Sequence, residues 1–193
     1  MNVVNIGAND GADDCLEFVL ANRESISQVH LIDPSHEAIE KCRETYKEIP
    51  QAKFHEVAIV PDDSQAAILY SPKNEPDSHH SSLIPNHTLY HGHKIIEGTA
   101  VKATSLPRFF GQNKITKCDR LYIDTEGMDS HILLALDFQK YKIGFIQFEA
   151  LHSDGLATKG QNHAMLTKRL LSLGYSIRRS GAWNEIAEKT WNT

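Results

Sequence analysis

The chain has 193 residues, 40% of them hydrophobic and 23% charged, with a net charge of −5 at pH 7. Those values fit one globular domain with a full core. They argue against a protein that holds nucleic acid through a phosphate-neutralising surface. No run of about 18 apolar residues is present, so no membrane span is expected.

Residues 3–6 form an apolar run read as the first strand, so no signal or transit peptide is expected. Residues 13–22 read as a helix with Leu16, Val19 and Leu20 at helical spacing. Residues 29–32 are the second strand. A helix from Pro34 and Ser35 to about Glu48 carries the stripe Ala38, Ile39, Cys42, Tyr46 and Ile49. Residues 53–60 read as one strand, and AAILY at 66–70 as another. Residues 72–94 carry three prolines, five histidines and no clear period, and are expected to form a long loop. Then come a strand at 95–101, a short helix at 105–110, a strand at 121–124 and a helix at about 128–139. A strand at 143–148 ends at Glu149. Residues 151–161 form a loop, 162–173 a helix and 175–178 a strand. The tail at 180–193 is open between a last strand and a loose end. Cys15, Cys42 and Cys118 are widely separated and read as buried free thiols, which suits a reducing cytoplasm.

Strands alternating with helices predict an α/β fold with a mostly parallel sheet covered on both faces. Ligands in such sheets bind beyond the carboxyl ends of the strands. Three strands end in acid there, at Asp33, Asp124 and Glu149. The segment VVNIGANDG (3–11) runs from a strand through a glycine turn into a helix, and Asp33 closes the next strand. That is the layout of an adenosine pocket: glycines admit the ligand to the backbone, and the carboxylate accepts hydrogen bonds from ribose hydroxyls. A dinucleotide turn has a third glycine for the pyrophosphate, whereas this one has only Gly7 and Gly11, with Asn9 between them. Asp10, Asp13 and Asp14 crowd the helix start and would repel phosphate. They suit a ligand with cationic groups, such as S-adenosylmethionine. Asp13 and Asp14 can equally serve as helix-capping residues.

The chain resembles the FkbM-type S-adenosylmethionine-dependent methyltransferases. VVNIGANDG resembles the first glycine motif of that family, and LIDPSHEAI (31–39) its second motif. FHEVAIV (54–60) resembles the strand beside the adenine. Ser81, Ser82 and Leu83 resemble its serine-rich segment, and VKATSL (101–106) the strand before the next helix. LYIDTEGMDSHILLAL (121–136) resembles the Asp-x-Glu-Gly stretch, and FIQFEALH (145–152) the strand that follows. The family commonly has an acid where this chain has Asn5, and residues ahead of the first motif that help cover the cofactor. The resemblance implies one Rossmann-like class I methyltransferase domain over residues 1–193, a three-layer sandwich.

It also implies roles. Gly7 and Gly11 admit the methionine moiety, and Asn5, Asn9 and Asp10 line that end. Asp33 holds the ribose, Pro34 fixes the chain leaving the strand, and Ala58 and Ile59 lie near the adenine. Asp124 faces the sulfonium and the acceptor. The implied reaction is O-methylation of a small molecule or sugar. In-line methyl transfer mainly needs alignment and exclusion of water, and a hydroxyl acceptor can also need a base. Glu126, Glu149 and His152 are the candidates, and they remain unranked. Asp124, Glu126 and Glu149 also offer the oxygen donors magnesium favours. No metal site is expected, because the histidines at 79, 80, 87, 91 and 93 lack helical periodicity and Pro85 interrupts them. Ser81, Ser82 and a neighbouring histidine are expected to contact the acceptor instead. The rival readings are a nicotinamide-dependent oxidoreductase on a similar sheet and a cofactor-binding homologue without catalysis. The expected partners are a small-molecule or saccharide acceptor, with a second copy or a partner subunit open, and neither nucleic acid nor membrane.

Overall fold

The structure is a computed structural model and describes residues 1–153 and 158–189. Five strands lie parallel: β1 (Asn2–Ile6), β2 (Gln28–Asp33), β3 (Ala52–Glu56), β7 (Lys117–Ile123) and β8 (Lys142–Glu149). Two more, β9 (Ser176–Ser180) and β10 (Asn184–Glu188), complete a seven-stranded sheet of order β3-β2-β1-β7-β8-β10-β9, in which β10 runs antiparallel to both neighbours. The last strand therefore lies in the tail that the sequence left open; residues 190–193 lie outside the described residues.

Both faces of this sheet are apolar, as a parallel sheet under helices requires. Val4, Ile6, Ile32, Leu121, Ile146 and Phe148 share one core with residues of α4 (Leu106–Gln112), α5 (Asp129–Ala135) and α6 (Gln161–Ser172). Their chain neighbours Val3, Leu31, Tyr122 and Phe145 join the opposite core, under α1 (Asp14–Ala21) and α2 (His36–Thr45). Cys15, Cys42 and Cys118 are buried free thiols, as expected. Leu20, placed on the inner stripe by spacing, is exposed.

Two regions differ from the sequence reading. The strand expected over 53–60 breaks at Val57, whose N–H turns to the carbonyls of Asp33 and His55. Residues beyond it form β4 (Ala58–Val60), which joins a separate three-stranded sheet with β5 (Ala66–Pro72) and β6 (Ile96–Ser105) in the order β4-β6-β5. The break lets Ala58 and Ile59 face Asp33 across a cleft. The segment 72–94 is not wholly irregular either. It contains a helix, α3 (Pro85–Tyr90), with the proline in its first turn. Proline is favoured there because its missing N–H has no helical partner to lose.

Candidate functional site

The turn after β1 is set by backbone conformations that few residues tolerate. Gly7 and Gly11 have φ of 76° and 75°, and Asn9 has φ of 46°. A Cβ on Gly7 would overlap the carbonyl oxygen of Asp124, so glycine is what lets the ends of β1 and β7 meet. Gly11 does a different job from the one expected. It does not line the cleft; its α-carbon packs on α2, where a Cβ would stand 2.8 Å from both Cys42 Sγ and Tyr46 Cε2.

A cleft opens beyond the strand ends, where ligands of such sheets bind. Gly7, Asn9, Asp33, Pro34, Ala58, Ile59 and Asp124 all line it, which brings seven of the expected cofactor residues together. Asp33 is its polar anchor. One carboxylate oxygen accepts from the Asn9 N–H at 3.0 Å and the other from the Ser35 N–H at 2.8 Å. Burial pushes the Asp33 carboxyl up to about 6, against these two hydrogen bonds.

Asn5 and Asp10 lie elsewhere. Asn5 is buried and donates to Asp13 at 2.6 Å. Both line a second, adjoining pocket with Asp14, Gln147, Asn184 and Asp124, and Asp124 borders both spaces. Asp13 is also the N-cap of α1, accepting from the Leu16 N–H at 3.1 Å. Burial raises its carboxyl above the usual range. Asp10 turns to its own loop and accepts from the Ala12 N–H at 3.0 Å.

Asp77, Ser78, His79, Ser81 and Leu83 close the cleft from the 72–94 segment; Ser81 and a histidine beside it are expected near the acceptor from the sequence, whereas Asp77 and Ser78 were missed. Asn9 Nδ2 donates to the Asp77 carbonyl at 3.3 Å, and Lys41 of α2 pairs with the Asp77 carboxylate. Ser81 lines the cleft but donates to Ser71 at 2.8 Å, while Ser82 donates to the Glu126 carbonyl at 2.7 Å. Ser82 thus supports the turn after β7 rather than facing the cleft.

That turn is the second strained element. Glu126 holds φ of 54° and Gly127 φ of 108°. A φ of this sign is uncommon outside glycine. Asp129, also missed, fixes the turn: it is buried and accepts from the Thr125 N–H at 2.8 Å, from the Thr125 hydroxyl, and from the Glu149 N–H at 2.8 Å. One carboxyl group thereby ties the end of β7 to the end of β8. The signal was an acid four residues beyond Thr125, close enough to close the loop on itself.

Glu126, Glu149 and His152 do converge. Glu126 faces His87 and His91, and Glu149 Oε1 stands 2.7 Å from His152 Nδ1. Burial, then the charges of neighbouring acids, pushes the Glu126 and Glu149 carboxyls up to about 9. Burial lowers His87 to about 4 and His91 and His152 below the ordinary histidine value, so all three rings are neutral. His87 and His91, four residues apart, reach this cluster because Pro85 starts α3 instead of preventing it. The sequence argument against metal ligands here rested on the missing helix. Part of the adjoining 151–161 loop, residues 154–157, lies outside the described residues.

A family model described as the methyltransferase FkbM domain matches residues 5–177. The fold is similar to the crystal structure of Methyltransferase FkbM from Methylobacillus flagellatus KT, with a TM-score of 0.59 and 12% identity. The alignment covers 97% of this chain and 43% of that one, so this chain spans less than half of that protein's length. At that identity the likeness is one of fold. No match was found among curated proteins. Among the described residues, no helix is long and apolar enough to cross a membrane.

Proposed function

The chain belongs to the FkbM methyltransferase family, and from that premise we propose that it moves the methyl group of S-adenosylmethionine to an oxygen of a small molecule or sugar. The observation that carries the cofactor is the buried Asp33 carboxylate facing the cleft between the two sheets. A desolvated carboxylate gains most from added hydrogen-bond donors, and two ribose hydroxyls supply them. Ala58 and Ile59 of β4 give the adenine an apolar wall.

The methionine end passes Gly7 toward Asp124 and enters the adjoining pocket. There Asn5 lacks the charge usual at its position, and Asp13, 2.6 Å from its amide, supplies it. The ammonium and sulfonium of the donor are thereby placed among Asp13, Asp14 and Asp124. This favours the sulfonium donor over a dinucleotide, whose phosphates would meet those carboxylates. The acceptor is placed at the Asp124–Glu126 end of the cleft. The oxygen and sugar character of the acceptor is supported by the family resemblance.

Calorimetry with S-adenosylmethionine, S-adenosylhomocysteine and NAD tests the cofactor. Binding of the first two without the third is expected, and binding of NAD alone would overturn the reading. Transfer of label from methyl-labelled donor to a panel of hydroxyl acceptors, saccharides included, tests the reaction. Donor cleavage without any labelled product, or no turnover on any of them, would favour a binding protein.

A further inference from the structure

The histidines of the 72–94 segment form a second site that methyl transfer does not call for. His87 and His91 from the α3 region, Glu126 from the turn after β7 and His152 from the loop after β8 each present one donor atom, all within 4.8 Å of one another. We infer that these four residues bind a divalent transition-metal ion, with zinc the best match to the donor set.

Three observations carry this. First, the spacing suits an ion. With metal–ligand bonds of about 2.0–2.1 Å, adjacent donors of a tetrahedral site stand about 3.4 Å apart. His87 Nε2 and Glu126 Oε2 are 3.4 Å apart, and His91 Nε2 and Glu126 Oε2 3.8 Å. These are too long for good hydrogen bonds and close to the edge of such a tetrahedron. Second, the donors are buried without partners. Both nitrogens of His87, both of His152 and Nε2 of His91 have no hydrogen-bond partner among the described residues. His87 is 0% exposed and His152 4%. Buried polar atoms are almost always satisfied, and an unsatisfied cluster points to a missing ligand. Imidazolium–carboxylate pairing, the competing account, leaves both His87 nitrogens unsatisfied. One ion uses a lone pair from each of the three rings. Third, the surroundings hold the donors in place. His80 stacks on His91 with centroids 4.1 Å apart and meets His93 at 2.8 Å.

Three imidazoles and one carboxylate select zinc, iron, nickel or copper over magnesium and calcium, which take oxygen ligands. The ion fastens α3 to the turns after β7 and β8. Because Glu126 also lines the cofactor cleft, the ion borders that cleft. What the sequence offers as candidate bases then becomes, at Glu126 and His152, part of a ligand set. The inference does not depend on the methyl-transfer reading.

The test uses the full chain, freed of any affinity tag and stripped with a chelator. Titration with Co²⁺ is followed by visible absorption and titration with Zn²⁺ by calorimetry. One equivalent of either ion is expected to bind, Co²⁺ giving the d–d bands of a low-symmetry four-coordinate site. His87→Ala, His91→Ala and Glu126→Gln are each expected to weaken Zn²⁺ binding by at least about 100-fold, following the cost of lost metal-site groups. His36→Ala, at an exposed histidine of α2, is expected to leave it unchanged. Absence of stoichiometric binding to the wild-type chain would overturn the inference, as would wild-type affinity in the three ligand variants. If circular dichroism shows that His87→Ala does not fold, the two variants at partly exposed positions decide by the same criterion.

Discussion

Lowering the pH should loosen the grip on the cofactor, and Asp33 sets where. Its carboxyl titrates at about 6, raised by burial from an ordinary 3.8. Ribose hydroxyls donate to the ionised form, so protonation competes with the ligand. The apparent Kd then rises by the factor 1 + 10^(6 − pH), which is near one at pH 7.5 and about 11 at pH 5. Stability moves the opposite way. A carboxyl whose folded-state pKa is raised binds its proton more tightly in the folded chain. Its contribution to stability is greatest below the unfolded value and is lost as pH rises from about 4 to about 6. Over that window the loss is about 3 kcal/mol, offset at neutral pH when the ligand satisfies the carboxylate. The assay is calorimetry with S-adenosylhomocysteine from pH 5 to 7.5, since its own groups keep their charges over that range. Asp33→Asn should bind weakly and lose the pH dependence. An affinity that stays level across the range in the wild-type chain would refute the reasoning.

Further outcomes follow from the same geometry. Asp13→Ser keeps the N-cap of α1 but removes the charge beside Asn5. It should weaken S-adenosylmethionine binding about tenfold, roughly 1.4 kcal/mol, and leave 5′-methylthioadenosine, which lacks the amino-acid part, unaffected; equal losses for both ligands would contradict the ammonium placement. Gly7→Ala places a Cβ on the Asp124 carbonyl at φ of 76° and should cost more than the roughly 1–2 kcal/mol of left-handed strain. Gly181→Ala, at φ of 66° with nothing within 4 Å of its Cβ, should cost that strain alone. Denaturant unfolding of the two variants separates the terms, and equal costs would show that the contact with Asp124 does not matter. Asp129→Ala leaves the Thr125 and Glu149 N–H groups without their acceptor. At about 1–3 kcal/mol for each unpaired group, Tm should fall by at least about 4 °C; an unchanged Tm would remove Asp129 as the tie between β7 and β8.

Much of this was legible in the sequence because the signals are local. Paired apolar runs place the strands, and acids at their ends place Asp33 and Asp124 on one rim. What was not legible depends on contacts between distant segments. FHEVAIV has strand character throughout, and nothing in it reveals that the Val57 N–H turns to the Asp33 carbonyl and sends Ala58 into another sheet. Gly11 reads like a ligand-facing glycine, yet its constraint comes from Cys42 and Tyr46 more than thirty residues away. The α3 helix was partly readable, since Pro85 at its start and the four-residue spacing of His87 and His91 are both present in the sequence. With two turns or fewer there is no apolar stripe to detect, and packing against the rim, not periodicity, makes the helix. Asn5 shows the limit of matching one position at a time. The acid absent there stands at Asp13, eight residues along and in contact through the fold.

The account rests on an adenosyl donor lying between the two sheets. A crystal structure of the chain with S-adenosylhomocysteine tests it most directly. The ribose hydroxyls should lie within hydrogen-bond distance of the Asp33 carboxylate, the adenine against Ala58 and Ile59, and the amino-acid end beside Asp13. Density for the ligand at any other place, or none at saturating concentration, would contradict it.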